Sequence, residues 1–447
     1  MPTGKTSLSP AGNRPGPSES FDTSTVLGRS ARHKAYRNIV FPLFLVSTIA
    51  YIDRVNIGYA ALTMNTDLHF RPDVFGFGAG ILFAGYLLFA VPGALIAERS
   101  GARLWLCLIT VVWGIVSGLM AFVRTPVQFF LVRFFLGAAE ASLYPVAYAA
   151  FIPRWFGERE RPFAIALLLT SLQISGIVGA PLAGWLLGVT WAGLSGWQIL
   201  FLLEAVPAVV LGLALPFWLA DWPREAKWLT TEEQQLLKRR YEHEVAAKSQ
   251  AKQYTLSRVL RDREVLKLCL IYFLWTTGYW GFNYWMPTIL KDVSGWRNSV
   301  IGIEFAVAMA VSLIASALTG YSSSITNEKR WHGSLHLLLA AIGIAGGAYA
   351  HTPGVYFVFM VLAAVGVYAP LAVWWSYPTS FLSGEAAAGA IGLINSTGNI
   401  GGFVGPYITG WMKQSTGSYL GAMLYLAVSL TAAASLILTL RKRASNN

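Results

Sequence analysis

Long apolar runs separated by short polar connections recur along the whole chain, far more often than the core of a soluble domain requires. About 20 mainly apolar residues cross a hydrocarbon layer of roughly 30 Å as an α-helix. Runs of that length lie at 38–60, 74–97, 103–122, 126–151, 162–190 and 197–219, and again at 264–290, 298–322, 333–350, 354–380, 386–412 and 418–440. The pattern predicts an all-α membrane protein with twelve transmembrane helices. Between the sixth and seventh runs the character changes. "TTEEQQLLKRRYEHEVAAKSQAKQ" mixes both signs of charge and reads as an amphipathic or solvated helix that divides the chain into two sets of six spans.

The two sets repeat one another. "SGIVGAPLAGW" (175–185) aligns with "GGFVGPYITGW" (401–411) at an offset of 226 residues, matching Gly176, Val178, Gly179, Gly184 and Trp185 with Gly402, Val404, Gly405, Gly410 and Trp411. Gln173 falls on Asn399 at the same offset. Six spans per half make the repeat parallel, giving two six-helix bundles about a pseudo-twofold axis along the membrane normal. In transporters built this way the binding site lies near the midplane between repeats. The small residues serve close helix packing, and a rocking pair of bundles needs such contacts to slide.

Composition supports the assignment, with 55% hydrophobic residues, 13% charged residues and a mean hydropathy of +0.51. The net charge of +12 does not signify nucleic-acid binding, because its distribution follows the membrane. One side of the predicted topology carries 27 of the 34 Lys and Arg residues and the other only 5. By the positive-inside rule both termini are cytoplasmic, in a cell membrane and most simply a bacterial inner membrane. The expected organisation is a disordered tail at 1–37, a bundle at 38–219, a linker at 220–263, a second bundle at 264–440 and a tail at 441–447. The Ser-, Pro- and Gly-rich start carries no cleavable signal pattern. Cys107 and Cys269 both fall in apolar spans, so neither a disulfide framework nor a metal site is expected, and no cofactor is called for.

Charges inside the spans point to function, since each costs roughly 2.5–3.5 kcal/mol at a helix centre on insertion scales. "YIDRVNIGYA" (51–60) places Asp53 and Arg54 in the first span, and "RFFLGAAEASLYPVA" places Arg133 and Glu140 in the fourth. Seven residues apart, Arg133 and Glu140 share a helix face that Tyr144 extends. The four charges sum to zero, which fits two Arg–carboxylate pairs. A static network stapling the two spans together is the structural alternative. The functional reading makes Arg54 the anchor of an anionic substrate, because a guanidinium matches a carboxylate bidentately. Asp53 and Glu140 are then groups whose protonation can change with small movements.

Together with "RWFGERERPFAIAL" and "GALIAERSGAR", these motifs resemble the anion:cation symporter family of the major facilitator superfamily, over residues 38–440. That group carries tartrate, hexuronates, aldarates, phthalate and, in animals, sialic acid. The resemblance implies the superfamily fold, proton coupling by Asp53 and Glu140, substrate contact by Arg54, and Arg133 as the modulating partner of Glu140. It also implies substrate-side roles for Tyr86 and Gln173. "GALIAERSGAR" is similar to the superfamily's gating loop, implying gate residues Glu98, Arg99, Gly101 and Arg103, although Ala94 stands at the usual first Gly and Glu98 at the commoner Asp.

The second half supplies neutral candidates. "YAPLAVWWSYPTSF" is interrupted at Pro370 and Pro378 and carries Trp374, Trp375 and Ser376, while "GLINSTGNIGG" offers Asn395 and Asn399. "TTGYWGFNYWMP" (276–287) suits either gating or the lining of an outer cavity. The expected protein is a monomeric, proton-coupled importer of an organic carboxylate, whether sugar acid, tartrate or an aromatic dicarboxylate. An organic-anion exchanger and a sodium-coupled carrier are alternatives within transport. A polytopic enzyme or receptor is remote, because no nucleophile–base set, metal spacing or sizeable extramembrane domain is present.

Overall fold

The computed structural model describes residues 25–249, 261–377 and 384–440. The chain runs through α1 (Val26–Asp67), α2 (Pro72–Ser100), α3 (Ala102–Phe122), α4 (Pro126–Trp155), α5 (Arg161–Leu186) and α6 (Gly196–Trp218). The linker helix α7 (Thr231–Ser249) and α8 (Arg263–Ser294) follow. The remaining helices are α9 (Asn298–Thr326), α10 (Arg330–Ala348), α11 (Pro353–Trp374), α12 (Gly384–Thr416) and α13 (Leu420–Leu438). Helix α7 apart, these twelve form two six-helix bundles.

Local chemistry sets the helix ends. Pro72 opens α2 and Gly101, at φ +95°, closes it. Thr125 with Gln128, and Ser195 with Gln198, form capping boxes at the starts of α4 and α6. On α6 the exposed Leu203, Val206, Val210, Leu213 and Phe217 recur every three or four residues. Such a stripe would be unfavourable in water and suits hydrocarbon.

Ten of these helices are long and apolar enough to cross a bilayer by composition. The other two predicted spans, α8 and α12, are 32 and 33 residues long but carry the Asn-, Thr- and Gly-containing runs. They are the helices that turn polar and aromatic groups inward.

The bundles meet through a symmetric set of close backbone approaches. A Cβ on Gly76 would lie 2.5 Å from the Pro406 carbonyl oxygen, and one on Gly302 would lie 2.2 Å from that of Ala180. Likewise Gly410 faces the Pro72 carbonyl at 2.3 Å and Gly184 the Asn298 carbonyl at 2.4 Å. Every position in one contact maps onto its counterpart by the 226-residue offset. All four lie toward the ends of α2, α5, α9 and α12 that are remote from the linker, so the bundles are sealed on that side.

One expectation changes. The segment through residue 37 is not disordered from residue 25 onward: Val26–Ala35 is helical and runs on into the first span. It docks on α7, where Ser30 and Lys34 both bond Glu233 (2.7 and 2.8 Å). Burial pushes the Glu233 carboxyl up, but the Lys34 ammonium and the Ser30 hydroxyl outweigh it and hold it below its ordinary value. The tail at 1–24, the end at 441–447 and Pro378 lie outside the described residues.

Candidate functional site

Between the bundles lies a cavity of about 160 Å³, and half of its twenty lining residues are aromatic. Its lining includes Tyr148, Leu169, Leu371 and Trp375, all toward the linker side of the spans. Beyond it a phenol cluster closes the midplane. Tyr51 bonds Tyr279 and meets Tyr368 at 3.2 Å, and Tyr368 donates to Asn283 at 2.7 Å. The cavity therefore belongs to a conformation closed on the side away from the linker.

Arg54 projects into this cavity from α1. Its Nη2 lies 3.0 Å from Glu140 Oε2 on α4 and also bonds the Tyr86 hydroxyl on α2. Tyr86 completes the triangle by donating to the same Glu140 oxygen at 2.7 Å. The guanidinium carbon is 4.6 Å from the Tyr86 ring centre and within 6 Å of the rings of Tyr51, Tyr144 and Trp280. A cation held among π faces is stabilised while its donors stay directed. Arg54 Nε and Glu140 Oε1 are buried without a partner, so each retains capacity for another bond.

The pairing differs from the sequence expectation. Arg133 does not pair with Glu140; it donates to the Ala79 carbonyl (3.4 Å) and to Tyr284 of the other bundle (3.3 Å). Seven residues of α-helix rise about 10.5 Å, so a shared face keeps these two groups apart along the axis. Nor does Asp53 pair with Arg54. Adjacent residues project about 100° apart on a helix, and Asp53 instead accepts from Ser117 at 3.1 Å inside the first bundle.

A fifth buried charge, absent from the sequence expectation, is Glu204 on α6. It is 5% exposed and accepts from Asn56. The deep ionisable groups therefore comprise three acids and two guanidiniums, and the simple balance of two pairs no longer holds. The signal was available as a lone Glu within an apolar run.

Of the proposed substrate contacts, Arg54, Tyr86, Trp375, Asn395 and Asn399 line the cavity. Gln173 does not; it donates to Ser316 across the bundle interface at 3.0 Å. Trp374 packs face to face with Tyr272 at 5.4 Å behind the lining, and Ser376 bonds the Val373 carbonyl. Of the 276–287 stretch, Thr276, Tyr279 and Trp280 line this central cavity. In the last turn of α2 Glu98 and Arg99 are exposed, whereas at the start of α3 the Arg103 backbone N–H donates to Asp221 at 2.8 Å. Arg154 approaches the same carboxylate at 3.7 Å, so the loop is tied to the linker through Asp221 and not through Glu98. Among the described residues no group of His, Cys, Asp and Glu is placed to hold a metal.

Residues 43–406 match the profile of the Major Facilitator Superfamily. Two putative tartrate transporters of Agrobacterium vitis are 42% and 41% identical, over 91% and 94% of this chain and 93% of each relative. The inner membrane transport protein RhmT of Escherichia coli is 32% identical over 94% of this chain and 97% of its own length. Among solved structures, a bacterial homologue of the lysosomal transporter Spinster, inward-facing and occupied, superposes with a TM-score of 0.74 at 18% identity, covering 91% of this chain and 97% of that one.

Proposed function

The chain belongs to the Major Facilitator Superfamily, and from that premise we propose that it imports an organic carboxylate together with protons by alternating access. The carrying observation is the Arg54–Glu140 contact facing the cavity. In this state the guanidinium is occupied by an internal carboxylate. A substrate carboxylate competes for the same donors, and protonation of Glu140 weakens its hold on them. A proton on Glu140 and a substrate on Arg54 therefore favour one another, which is the thermodynamic requirement for symport.

Within this reading Tyr86 steers the exchange, since its hydroxyl bonds both partners, and Asp53 is a second coupling carboxylate, turned away from Arg54 to Ser117. Arg133 reaches Tyr284 on the opposite bundle, which suits a role in sensing bundle position. Asn395, Asn399 and Trp375 furnish the neutral wall. Glu98, Arg99, Gly101 and Arg103 form the gate loop, anchored through Asp221. The relatives' names support an organic anion, and tartrate is the first substrate to test. The Lys and Arg distribution supports cytoplasmic termini, and RhmT's name supports an inner membrane; the transporter is read as a monomer.

Uptake of labelled tartrate into proteoliposomes, under an imposed pH gradient and separately under a sodium gradient, tests the reading. Unlabelled galactonate, glucarate and phthalate serve as competitors. Accumulation driven by the pH gradient alone is expected. Accumulation that requires sodium would replace the proton as the coupling ion, and tartrate-for-anion exchange with no response to either gradient would make the protein an exchanger.

A further inference from the structure

Glu204 lies outside the cavity and contacts neither Arg54 nor Arg133, so nothing in the substrate site explains a buried carboxylate on α6. Its polar neighbours among the described residues are uncharged, apart from one other acid. Asn56 on α1 donates to Glu204, and Asp53 stands one helical turn earlier on the same helix, within electrostatic reach of both Glu204 and Glu140. From α3, Ser117 donates to Asp53 and the Trp113 indole lies beside it; Tyr59 of α1 faces Glu204. No Lys, Arg or His pairs with either carboxylate among the described residues, because Arg54 is turned to Glu140 and Arg133 to Tyr284.

Capacity is left open in this cluster. Asp53 Oδ2, Glu204 Oε1 and Asn56 Oδ1 are all buried without a partner, on side chains that are 0%, 5% and 2% exposed. These three acceptor oxygens outnumber the two unpartnered donors beside the carboxylates, the Trp113 indole N–H and the Tyr59 hydroxyl, so at least one acceptor is left for a proton. Two unpaired carboxylates buried together also carry a desolvation cost that neutralisation removes.

We propose that Glu204, held by Asn56 and neighboured by Asp53, is a further proton-holding residue beside the Arg54–Glu140 pair. The inference rests on the proton-coupled reading for its role in transport, but the protonation itself is measurable without substrate. With the cavity empty, the site holds at least one proton as a neutral carboxylic acid, donating to one of the unpartnered oxygens. No bond other than O–H forms or breaks.

The test uses the full chain reconstituted in lipid at neutral pH. Infrared difference spectra of the wild type and of Glu204→Gln, Asp53→Asn and Glu140→Gln report the C=O stretch of protonated carboxylic acids. The wild type is expected to show a buried acid band that Glu204→Gln diminishes and Glu140→Gln leaves in place. In parallel, a hydrophobic carbodiimide, which reacts with protonated buried carboxyls, is applied to the wild-type protein and its adducts are mapped by peptide mass. Labelling at Glu204 is expected, so the result does not depend on a variant that folds. An unchanged acid band in a correctly folded Glu204→Gln protein, or a wild-type Glu204 free of adduct, would overturn the proposal. So would loss of the band and adduct on adding sodium at fixed pH, which would make the site a metal-cation site. If the wild type shows no pH-driven uptake yet keeps the band and the adduct, the transport reading fails while the proton site stands.

Discussion

Gly302→Ala is the sharpest perturbation of the closed side. The new Cβ would sit 2.2 Å from the Ala180 carbonyl oxygen, whereas ordinary contact begins near 3.4 Å, so α5 and α9 must part by roughly an ångström. Overpacking of this kind typically costs about 1–3 kcal/mol. Because the contact exists only while this side is sealed, the cost falls on one conformation and shifts its population by roughly 5- to 150-fold. Spin labels at Thr190 and Arg297, both exposed at the far ends of these helices, report the gap by pulsed electron resonance in a background lacking Cys107 and Cys269. The wild type should give one short distance, and Gly302→Ala should add a longer population. Gly354→Ala, whose Cβ would meet nothing within 4 Å, should not. A Gly302→Ala distribution identical to the wild type would refute the claim that these approaches set the conformational balance.

Three further outcomes follow from the same geometry. Arg54→Lys keeps the charge but loses the planar fork, so tartrate affinity measured by calorimetry should fall on the order of 10- to 100-fold, the equivalent of about 1.5–3 kcal/mol for a charged hydrogen bond; near-normal affinity would remove Arg54 from the site. Tyr86→Phe deletes the hydroxyl that bonds both Arg54 and Glu140. It should move the pH profile of tartrate uptake while leaving the protein's melting temperature nearly unchanged, and an unmoved profile would deny Tyr86 its steering role. The Glu233 carboxyl lies below its ordinary value, so the clamp on residues 26–35 is fully formed above the usual carboxylate range near pH 4.3 and is lost as pH falls through the depressed folded value. Hydrogen exchange should show these residues protected at pH 7 and released at low pH, and equal protection at both would contradict the assignment.

Periodicity and repetition exposed the architecture because both are one-dimensional. The 226-residue offset read from Gly184 and Gly410 also relates their carbonyl partners, Asn298 and Pro72, across the interface. Side-chain pairing was less legible. Spacing along one helix reports a shared face but neither the rise between two groups nor what a neighbouring helix presents. Spacing alone therefore matches Arg133 with Glu140, although Glu140 meets Arg54 from α1. Gln173, which the resemblance places on the substrate side, turns to Ser316 because its helix face is the bundle interface. Glu204 carries no neighbouring charge to mark it, and its bridge through Asn56 exists only once α6 packs on α1. The aromatic lining of the cavity is illegible for a related reason: Tyr148, Tyr272 and Trp275 look like ordinary core or belt residues until the bundles are placed face to face.

The exchange of Glu140 for substrate on Arg54 is the centre of the account, and Glu140→Gln in proteoliposomes tests it most directly. Glutamine keeps the shape and mimics the protonated acid, so substrate can still reach Arg54 but the proton is no longer carried. The account predicts that the variant loses pH-driven accumulation of tartrate and retains counterflow exchange between preloaded and external tartrate. Accumulation against a gradient by Glu140→Gln, at a rate near that of the wild type, would show that Glu140 is only a structural partner of Arg54 and that coupling resides elsewhere.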